Sequence, residues 1–128
     1  MKKLYVGLLI LVSLTACNDR EKRDKALKDL DATQQALIDV NKEIKNQEDL
    51  LTKNIGELEV AKDDMNQVKD FQLLRTEAER EQQIRKATEY KLQIEKNIEI
   101  IKSNIEYFKD SSRRTEIKIG QLKEYLKN

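Results

Sequence analysis

Apolar residues along this chain fall into two periodic blocks. In the first, Leu30, Leu37, Ile44, Leu51, Leu58 and Met65 recur every seven residues, with companions three positions on at Thr33, Val40, Gln47, Asn54, Ala61 and Val68. One column is strongly apolar and the other is half polar. The second block alternates steps of three and four through Ile84, Ala87, Lys91, Ile94, Ile98, Ile101, Ile105, Phe108, Ser112, Thr115, Ile119, Leu122 and Leu126. A heptad pattern held for about six repeats is the signature of a coiled-coil seam, which needs another helix to cover it. The expected fold is all-α, an elongated coiled coil with a first segment over 26–68 and a second over 84–128.

Between the blocks the phase breaks, because Phe71, Leu73, Leu74 and Ala78 do not carry the first register into Ile84. Residues 69–83 are therefore expected to form either the tip of a long antiparallel helical hairpin or a register shift within one long helix. Nearly equal block lengths favour the hairpin. The stretch "RTEAEREQQIRK" argues the other way, since it lacks Gly, Pro or Asn and consists largely of strong helix formers. In "KDSSRRT", Lys109 to Thr115, a cap for a new helix is available, yet the heptad phase runs straight through. A polar layer at Ser112 and Thr115 within a continuing helix is expected, with a short C-terminal helix after a kink as the alternative.

Outside the second seam, Leu92, Ile100 and Tyr107 follow one another at eight and seven residues. Such a strip either packs on another helix of the same protein or docks a partner, with Tyr107 as an aromatic anchor. Isoleucines in both columns at Ile94, Ile98, Ile101 and Ile105 favour three or more strands in a parallel coiled coil, with Lys91 fixing register at a cost in stability. A hairpin would instead satisfy this seam within one chain. Acids precede bases by four residues at Glu21/Lys25, Asp24/Lys28, Asp49/Lys53, Glu81/Arg85 and Asp110/Arg114, a solvated helix face in which each pair contributes about 0.2–0.5 kcal/mol.

The N-terminal stretch has a different character. Basic Met1-Lys2-Lys3 leads into an apolar run from Leu4 to about Leu14, and small residues Thr15-Ala16 precede Cys17. These zones have the form of a secretory signal, and the run is well short of the roughly twenty residues needed to cross a bilayer as a helix. Leu14-Thr15-Ala16-Cys17 resembles the lipobox of bacterial lipoproteins, in which a leucine and small residues precede an obligatory cysteine. The resemblance covers the first seventeen residues. It implies removal of residues 1–16 as signal peptide, diacylglycerol on the Cys17 sulfur and an acyl chain on the new amino terminus, with 17–25 as anchor and short tether. Two or three acyl chains hold a protein to a bilayer durably, whereas one holds it marginally. The competing reading of Cys17 is a free thiol after an ordinary signal. With a single cysteine, no intramolecular disulfide forms in either case.

Composition narrows the function classes. Lys and Arg number 25 against 24 Asp and Glu, and loss of Lys2 and Lys3 leaves 23 against 24, a net charge of −1. A near-neutral chain gives no electrostatic reason for nucleic acid as a partner. Charged residues make up 38% and aromatics 5%, which suits long helices better than a compact core. Histidine is absent, so the commonest general base and metal ligand is missing, and no Gly-rich phosphate loop occurs. Acid pairs such as Asp63-Asp64 lack an enclosed pocket in a coiled coil. The sequence indicates no enzyme, no catalytic residue, no metal, no cofactor beyond the acyl groups of Cys17 and no small-molecule substrate.

Three roles suit such a chain: a membrane-tethered spacer, a docking scaffold for an envelope partner, and a chaperone-like clamp holding client polypeptides in the periplasm. Small helical envelope lipoproteins resemble the first, and tentacled periplasmic chaperones resemble the third in hairpin shape alone. Partners are expected to be the membrane, through the lipid anchor, and a protein or a second copy, through the coiled coil. Asn18 after the cysteine favours the outer membrane under enterobacterial-type sorting. Asp19 and Glu21 near the anchor accompany surface export in some bacteria, which leaves the facing side open.

Overall fold

The computed structural model describes residues 2–70 and 76–128, with side chains described from Asn18 onward. Two helices account for nearly all of it: α1, Lys2–Asp70, and α2, Glu77–Lys127. They pack together as an all-α helical hairpin, so the alternative of one long helix with a register shift is corrected. Helix α1 ends at Asp70 and α2 has begun by Glu77, so 77–83 of the expected break are regular helix. The remainder of that break, residues 71–75, lies outside the described residues. Residues 18–25 of the expected tether continue α1 and are exposed.

The start of α2 is built by local chemistry. Thr76 and Glu79 form a reciprocal capping box: the Thr76 amide donates to Glu79 Oε2 at 3.3 Å, and the Glu79 amide donates to Thr76 Oγ1 at 3.4 Å. Two amides that lack helical partners are satisfied in this way, and Glu77 and Glu79 place negative charge where the helix dipole is positive. The helix then runs without interruption through Lys109 to Thr115. Ser112 is buried, and Thr115 Oγ1 donates to the Ser111 carbonyl at 2.8 Å, so this stretch is a polar layer in a continuous helix.

The chain divides into two compact units, Met1–Val40 with Ser111–Asn128, and Asn41–Asp110. In the first, the Arg23 guanidinium donates to the Leu126 carbonyl at 2.9 Å, and Asp29, Ala32, Thr33 and Ala36 line a groove with Thr115 and Lys118. Rising numbers in α1 meet falling numbers in α2, as an antiparallel pair requires. Among its described residues Ala26, Thr33, Ser112 and Ile119 are buried.

In the second unit, Ala61, Ile94 and Ile98 form a buried cluster, with Leu51 and Leu58 packed against it. Ile101 and Ile105 are also buried, and Lys109 Nζ reaches Glu48 Oε1 across the pair at 3.9 Å. The isoleucine seam is therefore covered within one chain. Polar side chains in and beside the packed faces bond to their own helix: Asn54 of α1 donates to the Leu50 carbonyl at 2.9 Å and Thr88 of α2 to the Ile84 carbonyl at 2.7 Å. Lys91 stands in the seam partly exposed and carries its charge out to Glu95, 3.7 Å away, as a long basic side chain at a coiled-coil position does.

Candidate lipid anchor and interaction surface

The expected anchor, Leu14, Thr15, Ala16 and Cys17, falls within the span of α1, but its side chains lie outside the described residues. Among the described residues no helix is long and apolar enough to cross a membrane.

Leu92, Ile100 and Tyr107 are all exposed, at 56%, 56% and 71%, so none is covered by the other helix of the hairpin. They do not share one surface. Taking the buried seam as the axis of reference, Ile100 and Tyr107 occupy the same heptad column on one flank of α2, while Leu92 falls on the other side of its outward face. Leu92 accordingly lines an open groove with Glu89, Gln93, Glu95, Lys96 and Glu99. Ile100 lines a cleft of about 310 Å³ between the two helices of its unit, together with Gln47, Leu50, Asn54, Asn97 and Asn104.

That cleft has a mixed chemistry. Leu50 on α1 is exposed and faces the same opening as Ile100. Gln47 donates from Nε2 to Glu43 Oε1 at 3.0 Å, while its own Oε1 is buried with no hydrogen-bond partner among the described residues. Further along the flank, Gln93 Nε2 donates to Asn97 Oδ1 at 3.1 Å, which orients both amides. Tyr107 sets its ring edge-on to Phe108, with centroids 5.5 Å apart. Phe108 is part of the half-buried seam, so this contact ties the exposed ring to the core side of the helix.

The uncharged flank reaches beyond the strip read from sequence, because Tyr90, Asn97 and Asn104 share the flank of Ile100 and Tyr107. Their signal was present in the spacing. The positions 90, 93, 97, 100, 104 and 107 alternate steps of three and four and carry no charge. Elsewhere the surface is ionic. Lys53 meets Glu57 at 3.9 Å rather than Asp49, and Lys102 meets Glu99 at 3.6 Å. These pairs are solvent-exposed and contribute little to stability.

The remaining openings are shallow surface grooves, such as that of Glu79, Gln82, Gln83 and Lys86. Among the described residues no group of three or more His, Cys, Asp or Glu converges on a metal-sized site. Comparisons with protein-family models, with curated proteins and with solved structures returned no match.

Proposed function

We propose that this protein is a lipid-anchored helical hairpin of a bacterial cell envelope, acting as a structural spacer or protein-docking scaffold. The observation that carries the reading is Leu14-Thr15-Ala16-Cys17 at the end of a short apolar run, a processing signal whose product would be tethered through Cys17 by acyl chains. The hairpin supports the second half: its seam is closed within the chain, leaving exposed side chains at Leu50, Tyr90, Ile100 and Tyr107 for contacts with other proteins. Under enterobacterial-type sorting Asn18 favours the outer membrane, with either face of that membrane open to it. The clamp reading, which needs apolar arm ends, draws on Phe71, Leu73 and Leu74 in the segment that joins the two helices, and the flanking residues Lys69, Asp70, Thr76 and Glu77 are polar.

Metabolic labelling tests the anchor. Cells expressing the full chain should incorporate labelled palmitate into it, and Cys17→Ser should abolish the label. Recovery of the wild-type protein unlabelled, soluble and cleaved elsewhere would remove the envelope from the account.

A further inference from the structure

We infer that the uncharged flank of α2, from Tyr90 to Tyr107, is a self-association surface that takes a second copy of the same flank in antiparallel orientation. The inference builds on the docking role proposed above but needs only the hairpin, not the anchor.

Tyr90, Gln93, Asn97, Ile100, Asn104 and Tyr107 form a second seam at heptad spacing, beside the buried one. All six lie in the unit Asn41–Asp110. Tyr90, Ile100 and Tyr107 are each more than half exposed. In a chain with 38% charged residues, six successive positions of one flank carry none. A solvated flank has no need of such a run. A second uncharged strip can meet it without taking an ammonium or carboxylate away from water and its counterion.

A second copy of the strip is such a partner, and its order is self-complementary. The steps run three, four, three, four, three, which read the same in both directions, and each end is a tyrosine. The next positions outward, four residues from either end, are Lys86 and Ser111. Laid antiparallel on a second copy, Tyr90 meets the other Tyr107, Gln93 meets the other Asn104, and Asn97 meets the other Ile100. Every contact then occurs twice about a two-fold axis, as an isologous interface demands. Aromatic pairs close both ends, Gln93 faces Asn104 inside them, and at the centre Asn97 lies against Ile100.

The central pairing has a receptacle. Ile100 of the second copy arrives beside Asn97, over the cleft that Asn97 shares with Leu50 and Asn104. Isoleucine is a suitable knob for that hole. The strip is roughly 26 Å long at the rise of an α-helix, a modest contact.

Photo-crosslinking in the full chain tests this. A benzophenone amino acid at Tyr107 should give, on irradiation of expressing cells, a product of twice the chain mass, with the joined peptide mapping to the segment around Tyr90. Placed at Tyr90, it should map to the segment around Tyr107, and placed at Leu92, on the other flank, it should give no such product. Ile100→Lys should lower the doubled product about tenfold or more while leaving helical circular dichroism unchanged, since it buries an unpaired ammonium only in the pair. Palmitate labelling of the same cells separates the two readings. A labelled chain with no doubled product overturns the self-association and spares the anchor, and a doubled product in an unlabelled chain does the reverse. Linkage to a different protein, joining of Tyr107 to Tyr107, or an equal yield from Leu92 would each overturn the antiparallel pair.

Discussion

Ala61 is 3% exposed, as deeply buried as Ile94 against which it packs. It belongs to the column that looked weak in the sequence, with Thr33, Gln47 and Asn54. Thr33 and Asn54 are buried too, while the leucine column contributes Leu51 and Leu58 only partly buried. The reason is steric: bulky isoleucines on α2 need small residues opposite, so the short side chains receive them and the leucines cover the edge. Hydropathy alone ranks these columns wrongly, because it does not register the volume of the facing residue. Thr33 and Asn54 are accommodated by bonding back to carbonyls four residues earlier, those of Asp29 and Leu50. Gly56 and Gly120 are helical, with open space where a Cβ would stand. Gly56→Ala and Gly120→Ala should therefore each stabilise the fold by about 1 kcal/mol, read as a raised midpoint in thermal or denaturant melts. An unchanged or lowered midpoint would mean that one of these positions is needed for something other than helix.

At the scale of the element, both helices and their seams were legible, since the heptad phase extends from Leu30 to Met65 and from Ile84 to Leu126. The choice between hairpin and continuous helix was less so. The helix-forming residues of "RTEAEREQQIRK" argued for continuity, but most of them follow Thr76 and belong to α2 itself. Thr76-Glu77-Ala78-Glu79 is a start signal, a capping box needing neither glycine nor proline. Thr76→Ala should cost about 1 kcal/mol and increase hydrogen exchange at the amides of the first turn of α2, with Thr76→Ser restoring most of the loss. Equal exchange in wild type and Thr76→Ala would show that the cap does not hold this helix end. The interaction flank was only half legible: Ile100 and Tyr107 stood out by hydropathy, whereas Asn97 and Asn104 are recognisable only once the buried seam fixes which flank they share. Leu92 was grouped with them by approximate helical spacing, and an offset of eight residues moved it to the other side of the outward face.

For the whole molecule, the hairpin and the N-terminal signal divide the work. The hairpin closes its seam within one chain, and the uncharged flank of α2 stays exposed at Tyr90, Ile100 and Tyr107. In the proposed reading the signal supplies the address, through chemistry that leaves no trace in helix packing, which is why sequence alone speaks to it. Lipid attachment at Cys17 is the claim on which the envelope role depends, and the mass of the mature protein tests it most directly. Protein purified from detergent-extracted membranes should lack residues 1–16 and begin at Cys17, with added mass equal to diacylglycerol alone or to diacylglycerol plus one amide-linked acyl chain. A mature chain that begins elsewhere, or that begins at Cys17 with no added lipid mass, would contradict the account.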